Sequence, residues 1–367
     1  MTPSPLPPRY LSVPRQACAI LALVSAALWL AACGQSSSKN KDPATTPTVR
    51  PENGDSVPAS GSASSTPGDP VASLDSERYQ ADLVTIAKPR PPGSAHWQTV
   101  QTLCADRLSQ HGYQVERQRY GTGVNVIGTR LGSKAPEDLV ILSAHYDSTD
   151  ATCPGADDNA TGVAGLLESA RVLAQIEHER TLVAICWDEE ERGLIGSQAY
   201  AKAAREAGHK VIMMYDYEMI GYSDTKPGSQ KLPTGFELLY PEEIKRLKDR
   251  DTRGDFIALV FDDHDNARAA AASLERTASS LELPAVALAV PSAIKNSAMA
   301  ISLRRSDHAS FWLHDFPAMM LTDTANFRNH HYHCRHGVDS IDDLDHDFTL
   351  KVMKATVTSA LAMLRAP

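Results

Sequence analysis

The 367-residue chain has little of what marks several classes of protein. It has no dense cluster of Lys and Arg, and its formal net charge is −9 at pH 7, so we expect no binding to nucleic acid. It has no internal repeat, which excludes a repeat architecture. None of its six cysteines shows the paired spacing of structural zinc sites. The charge-free apolar run at residues 17–32 is too short to span a bilayer comfortably.

That apolar run has the features of an export signal. Two arginines precede it and small residues end it, as in signal peptides. It closes with Leu-Ala-Ala-Cys33, which resembles a bacterial lipoprotein box in which Cys33 becomes the lipidated first residue. We therefore predict a signal peptide at residues 1–32 and a lipid anchor, the only membrane contact, in the bacterial cell envelope. Gly34 after the cysteine favours the outer membrane. The alternative is an ordinary secretory signal with an incidental cysteine.

The segment that follows the signal has too few large apolar residues to form a hydrophobic core. From Gly34 to Ala72 it has no aromatic residue and no Leu, Ile or Met. Such a segment cannot bury enough apolar surface to offset its chain entropy. We therefore predict a flexible tether at residues 33–72 and a single domain at residues 73–367, which is long enough for a substantial core.

Strand-like and helix-like segments alternate through this domain. Apolar runs at residues 139–144, 180–187 and 211–217 predict strands, and residues 162–176 have the apolar spacing of a helix. The alternation predicts an α/β fold: one three-layer domain with a mostly parallel central sheet and helices on both faces. Residues 219–255 are poorly periodic and contain several prolines, so we interpret them as an insertion that covers the site.

Acids and a histidine follow the first of these strands. His145 comes directly after it, and Asp147 is placed to accept the other imidazole N–H, as carboxylates do beside metal-ligating histidines. Asp157 and Asp158 are adjacent acids, which would repel one another when buried unless a cation lay between them. The non-functional alternative for His145 and Asp147 is a His–Asp pair on the surface. For Asp157 and Asp158 it is a solvated helix N-terminus, where acids are favoured.

Further metal-binding side chains follow the other strands. Asp188 to Glu191 are four acids in a row after a core strand, and Glu218 ends another strand. Hydrolysis needs one carboxylate to hold a metal and a free one to take the proton of water, and neighbouring glutamates can divide those roles. A charge run is usually a solvated face, and His333 lies in a histidine-rich stretch that alone fits a surface cluster. Because ligands bind where parallel strands end, the segments together predict one metal site.

Cys153 and Cys334 each lie beside one of these segments. In an oxidising compartment the two would form a disulfide across the rim of the site. The alternative is that a cysteine ligates zinc. We favour the disulfide because neither cysteine has the paired spacing of zinc ligands.

The segments, in their order, resemble the co-catalytic zinc aminopeptidase family. That family includes bacterial leucyl aminopeptidases, glutamate carboxypeptidase and glutaminyl cyclases. The resemblance runs from about Pro89 to the C-terminus. It depends on S-A-H-Y-D-S, P-G-A-D-D-N-A-T-G-V-A, E-E-R-G-L-I-G-S-Q-A-Y, E-M-I-G-Y, S-D-H-A-S-F-W and Y-H. It implies a zinc exopeptidase fold and two bound zinc ions.

The resemblance also implies a role for each residue. Glu190 would be the general base, Asp147 would orient a histidine ligand, and Tyr332 would donate its hydroxyl to the oxyanion. The pair Asp307-His308 would lie behind the ligands, near the substrate. Asp158 would bridge both zinc ions. His145 and Glu218 would bind one of them, and Glu191 and His333 the other.

Two positions depart from the family pattern. Glu218, assigned to the same zinc as His145, stands where the family more often has Asp, and its longer arm leaves the metal geometry open. The acid after His333 lies six residues on, at Asp339, where the family usually has one four residues on. That spacing indicates a small insertion.

We predict a lipid-anchored two-zinc exopeptidase, and favour an aminopeptidase that removes N-terminal residues from peptides. Water activated by two zinc ions would attack the scissile carbonyl, with Glu190 carrying the proton. One alternative is a glutaminyl cyclase-like acyltransferase of the same fold, for which one zinc suffices. Another is a non-catalytic envelope lipoprotein, and a third is a carboxypeptidase that uses Arg304 or Arg305 as its anchor. The sequence gives no indication of oligomeric state.

Overall fold

The computed structural model of the protein describes residues 70–365. The predicted signal peptide, the lipidation site Cys33 and the tether as far as residue 69 lie outside these residues. The first described element is a 3₁₀ turn at Pro70–Ser73. Within residues 70–365, every helix is too short or too polar to cross a bilayer.

An eight-stranded sheet forms the middle of the domain. Its strands are β1 Gln114–Tyr120, β2 Gly123–Arg130, β3 Ala135–His145, β4 Arg180–Trp187, β5 Lys210–Glu218, β6 Ile257–Asp262, β7 Ala285–Val290 and β8 Ala318–Thr322. They lie in the order β1-β2-β4-β3-β5-β8-β6-β7. The central pairs β3–β4, β3–β5 and β5–β8 are parallel, as is β6–β7, while β1–β2, β2–β4 and β6–β8 are antiparallel.

Helices cover both faces of the sheet. They are α1 Ser76–Ile86, α2 Ala95–Gln110, α3 Gly162–Leu173, α4 Ile195–Glu206, α5 Phe236–Leu239, α6 Pro241–Lys248, α7 Asp265–Ser280, α8 His308–Leu313 and α9 His346–Leu364. Helices α1, α2, α3, α7 and α9 contribute to one hydrophobic cluster. Helices α4, α6 and α8 contribute to the other.

The two clusters follow from alternation along the strands. In β3, Val140 and Leu142 pack into the first cluster, whereas Ile141 between them packs into the second. Side chains of a strand point to opposite faces in turn, so a strand that is apolar at every position needs cover on both sides. The predicted three-layer α/β fold with a mostly parallel sheet is confirmed.

Some elements were not predicted from the sequence. Strand β6 directly follows the irregular residues 219–255, which hid its start, although all six of its residues are buried. Helix α1 was also missed. The insertion itself contains α5 and α6, and α6 packs Ile244 and Leu247 into the second cluster.

Candidate metal centre

The proposed ligands come from the edge of the sheet where parallel strands end. His145 is the last residue of β3, Glu218 is the last residue of β5, and Glu191 lies four residues after β4. Because β3 pairs in parallel with both β4 and β5, these three ends meet at one edge. The loop before α3 adds Asp158 and the turn after β8 adds His333.

Three buried side chains form the first cluster, which we name triad 1: His145, Asp158 and Glu218. Nε2 of His145 lies 3.3 Å from Oδ1 of Asp158 and 3.4 Å from Oε2 of Glu218. All three ligand atoms lie within 4.8 Å of one another. That spacing allows one cation to contact all three.

A second cluster, triad 2, shares one residue with the first: Asp158, Glu191 and His333. Nε2 of His333 lies 3.2 Å from Oδ2 of Asp158 and 3.3 Å from Oε2 of Glu191. Asp158 therefore presents one carboxylate oxygen to each triad. Triad 2 is the more open of the two, because Glu191 and His333 are only half-buried.

The donor set fits zinc. Imidazole nitrogen and carboxylate oxygen are both common zinc ligands. Within residues 70–365, neither ring nitrogen of His145 has a hydrogen-bond partner, and the same holds for Oε1 of Glu191, although all three atoms are buried. Buried polar atoms without a partner are costly. A cation at triad 1 would satisfy Nε2 of His145, the ring nitrogen that faces Asp158 and Glu218.

Asp147 connects the two triads. Its Oδ1 lies 3.3 Å from Nδ1 of His145, as expected of a carboxylate that orients a ligating imidazole. The same carboxylate accepts the backbone N–H groups of Glu190 at 3.1 Å and Glu191 at 3.3 Å. Asp147 therefore fixes both a triad 1 histidine and the loop that carries the two glutamates.

Glu190 belongs to neither triad and is therefore free to take a proton. Burial raises its pKa well above the ordinary value, and repulsion from Glu218 and Glu191 adds to this, while His145 opposes it. A general base is most effective when its pKa lies near the operating pH. The direction of the shift suits that task.

The two adjacent aspartates separate in space, which the sequence alone left open. Asp157 accepts the Gly221 N–H at 3.1 Å and the Asn329 amide at 2.9 Å, away from the triads. Burial raises its pKa well above the ordinary value, with repulsion from Asp323. For Asp158 burial acts in the same direction, but the two imidazoles beside its carboxylate oxygens outweigh it and its pKa is lowered.

The predicted pair Asp307-His308 lies behind Glu218, but a neighbouring residue makes the contact. The Ser306 hydroxyl lies 2.9 Å from both Oε2 of Glu218 and Oδ2 of Asp216, and its one proton can be donated to either oxygen. The His308 backbone N–H donates to the same Asp216 oxygen at 3.0 Å. Neither the Ser306 contact nor Asp216 was predicted from the sequence. The signal for Asp216 was its position two residues before Glu218, on the same face of β5.

Tyr332 lies beside the centre. Its ring stacks on that of His333 with centroids 3.7 Å apart. Its hydroxyl accepts a hydrogen bond from Arg305 at 2.9 Å, which leaves the hydroxyl proton available to another acceptor. Tyr332, Arg305 and Glu218 all line one apolar pocket.

A disulfide joins Cys153 and Cys334, with their Cα atoms 5.7 Å apart. It connects the segment that precedes Asp158 to the residue after His333. His333 itself has a φ of +54°, in the left-handed region that ordinary residues seldom adopt. The disulfide thus restrains a backbone turn that presents a triad 2 ligand. Cys104 and Cys186 are free and buried.

An apolar pocket of about 80 Å³ opens beside Glu218. The insertion contributes part of its wall, including Leu232 and Phe236, and the sheet contributes Leu288 and Met320. The predicted role of residues 219–255 as a cover therefore applies to this pocket.

Comparison with known proteins gives a family and a fold. Residues 125–360 match the family model described as peptidase family M28. The "uncharacterized protein YfbL" of Escherichia coli K12 is 36% identical over 232 residues, which are 60% of this chain and 65% of YfbL. A "probable zinc metalloprotease" of Pyrenophora tritici-repentis is 25% identical over 277 residues, 69% of this chain and 56% of that protein. The chain thus spans less than two thirds of either relative.

Among solved structures, a zinc aminopeptidase from Bacillus subtilis has the same fold. It superposes with a TM-score of 0.60 over 80% of this chain and 96% of its own, at 13% identity. At that identity the likeness concerns the fold alone.

Proposed function

Because the chain belongs to peptidase family M28, as the predicted resemblance implied, we propose that it is a two-zinc aminopeptidase. The observation that carries the proposal is the pair of triads that share Asp158, with the unligated Glu190 beside them. His145, Asp158 and Glu218 would hold one zinc, and Asp158, Glu191 and His333 the other. Bound zinc lowers the pKa of water and polarises a carbonyl group.

The residues of the chain supply the rest of the chemistry. Glu190 takes the proton of the attacking water and passes it to the leaving amine. Its raised pKa supports this role, because a carboxylate at its ordinary value would be a weak base near neutral pH. The Tyr332 hydroxyl donates to the oxygen on which negative charge develops in the transition state. Arg305 already occupies one acceptor position of that hydroxyl, which supports its orientation as a donor.

The acidic surroundings favour a substrate with a free ammonium group. The triads and Glu190 gather six ionisable groups, of which four are carboxylates, in a chain of net charge −9. A carboxypeptidase would need an unengaged cation beside the scissile bond. Two basic residues line the pocket: Arg305 is bonded to Tyr332 and Asn326, and Lys231 is an exposed residue of the insertion. The apolar pocket next to Glu218 suits an apolar side chain at the cleaved position.

A panel of blocked substrates tests the direction of cleavage. The zinc-loaded protein should hydrolyse aminoacyl anilides and C-amidated dipeptides with apolar first residues. Acetylating the N-terminus should abolish hydrolysis, and a chelator should abolish it for every substrate. Glu190→Gln, loaded with zinc in the same way, is the matched inactive control.

Other outcomes would change the assignment. Hydrolysis of acetylated but not of amidated peptides would make the protein a carboxypeptidase. Ammonia release from peptides with an N-terminal Gln, without hydrolysis, would make it a cyclase. Failure on all substrates by zinc-loaded protein would support a binding role.

We also propose that Cys33 carries a lipid that anchors the protein in the bacterial cell envelope. The Leu-Ala-Ala-Cys33 sequence and the long polar segment behind it support this. Cys33→Ser should lose metabolic labelling by fatty acid and no longer sediment with membranes. Labelling that persists in this variant would exclude the site.

A further inference from the structure

The loop that carries Asp158 is held through its backbone carbonyls by a residue outside both triads. We name residues 154–158 the bridging loop. Arg90, between α1 and α2, donates from Nη1 to the Pro154 carbonyl at 2.6 Å and from Nη2 to the Gly155 carbonyl at 2.9 Å. A longer bond of 3.4 Å reaches the carbonyl of Asp158 itself. One side chain thus binds three positions of the loop.

Arg90 is fully buried and also holds the segment after His145. Its Nε donates to the Tyr146 carbonyl at 2.9 Å, and its backbone N–H donates to the Ser148 hydroxyl at 2.9 Å. A buried arginine is usually paired with a carboxylate. Within residues 70–365, every hydrogen bond from this guanidinium goes to a backbone carbonyl instead. Its contacts therefore fix backbone positions.

A buried aspartate holds the same loop through its amides. Asp339 accepts the backbone N–H of Asp157 at its Oδ1 and that of Asp158 at its Oδ2, each at 3.0 Å. Its own carbonyl accepts the N–H of Ala156 at 3.4 Å. The bridging loop therefore lies between a donor on its carbonyl side and an acceptor on its amide side.

The backbone at Gly155 packs closely against the carbonyl of Asp158. Gly155 has a φ of +57°, and a Cβ at this position would lie 2.2 Å from the carbonyl oxygen of Asp158. That oxygen is one of the acceptors of Arg90. The position of Asp158 is thus determined by contacts that do not involve its own carboxylate.

We propose that Arg90 and Asp339 are positioning residues that clamp the bridging loop, so that Asp158 presents one oxygen to each triad before metal binds. The inference rests on the proposed metal ligands. A site formed in advance loses less conformational freedom when it binds. Changes to residues that support metal ligands typically cost about 10–100-fold in metal affinity. Since Asp158 is shared, loss of the clamp should weaken both zinc-binding steps.

Stepwise zinc titration against a chelating dye tests this on the otherwise intact protein. Arg90→Lys keeps the charge and loses the guanidinium fork, and Asp339→Asn replaces one acceptor by a donor. Each should weaken both zinc steps by about 10–100-fold. Because both residues act on one loop, the double variant should lose much less than the product of the two single effects.

Two matched variants separate positioning from general stability. Arg180 is also a largely buried arginine, and it donates to Asp138 and to the carbonyls of Met363 and Arg365, at the opposite end of the strands. Arg180→Lys should lower the melting temperature of the metal-free protein without changing either zinc affinity. Glu191→Gln removes a ligand of triad 2 alone and should weaken one zinc step.

The outcomes decide between the explanations. Unchanged zinc affinities in Arg90→Lys and Asp339→Asn would overturn the proposal, as would weakening of a single step. If Arg90→Lys fails to fold, Asp339→Asn decides by the same measurement. The proposed function fails separately: a wild-type protein that binds two zinc ions and hydrolyses no peptide would leave the clamp standing.

Discussion

Buried acids lie at both ends of the same parallel strands, but among the described residues the acids of the two triads lack the Lys and Arg partners that Asp138 has at the amino end. At the amino end, Asp138 of β3 contacts Arg180 of β4 at 3.2 Å and Lys210 of β5 at 2.6 Å. At the carboxyl end, acids face imidazoles and one another. Within residues 70–365, no Lys or Arg forms an ion pair with the acids of either triad or with Glu190.

The difference in pairing indicates that the charges at the amino end stabilise the fold, whereas the acids at the carboxyl end are arranged to bind a cation. Neighbouring buried acids raise one another's pKa because each disfavours the charge of the other. Burial first, and then repulsion from Asp158, raises the pKa of Glu191 to about 7. Such a group is unfavourable in the chain alone and becomes favourable beside a cation. Four predictions test this comparison.

The largest effect is expected on the turnover number, for substitution of Glu190, which belongs to neither triad. Glu190→Gln should lower the turnover number by about two to four orders of magnitude, which is what loss of a general base costs. Because Glu190 is not a proposed ligand, this variant should keep both zinc ions. Glu191→Gln should lose one of them.

Metal analysis and steady-state kinetics on both variants give the answer. If Glu190→Gln lost zinc while Glu191→Gln retained two ions, the roles assigned to these neighbours would be exchanged.

The second prediction concerns the disulfide at the rim of the carboxyl end. Replacing Cys153 and Cys334 by Ser together should lower the free energy of unfolding by about 2–5 kcal/mol, since the unfolded chain loses a long closed loop. Zinc affinity should fall in one step only, because His333 next to Cys334 belongs to triad 2. Denaturant unfolding and zinc titration check this, with reduced wild-type protein as the control. Equal weakening of both steps would contradict a local effect.

Most of this carboxyl end was predicted from the sequence because its ligands follow apolar strands. His145 and Glu218 could be assigned to one edge once β3 and β5 were taken as parallel. Spacing alone could not decide whether Asp157 or Asp158 faces His145 and His333, since both aspartates are buried. The family resemblance supplied that choice. The clamp was not predicted at all, because Arg90 binds backbone carbonyls that are 56–68 residues away and carry no sequence signature.

The third prediction compares the two ends through metal removal. Zinc at about 100 times its dissociation constant should stabilise the folded state by about 2.7 kcal/mol per site. Asp138→Asn at the amino end should lower stability by about 1–3 kcal/mol, between the values for exposed and buried pairs. The zinc-induced shift of the melting temperature should be the same in this variant as in wild type. In His145→Ala the shift should be smaller, since triad 1 loses a ligand. A reduced shift in Asp138→Asn would contradict the separation of the two ends.

The smallest effect is a pH dependence near the amino end. Burial lowers the pKa of His178, just before β4, to about 4, and nearby Arg130 adds to the shift. The unfolded chain therefore takes up a proton below about pH 6.5, whereas the folded protein does not. Stability from this group is complete above pH 6.5 and is lost as the pH falls towards 4. His178→Gln should remove this part of the acid-induced loss, because Gln does not titrate. Urea unfolding of both proteins from pH 7 to pH 4, with chelator present so that zinc release is excluded, measures the difference. Parallel curves would show that His178 titrates normally in the folded protein.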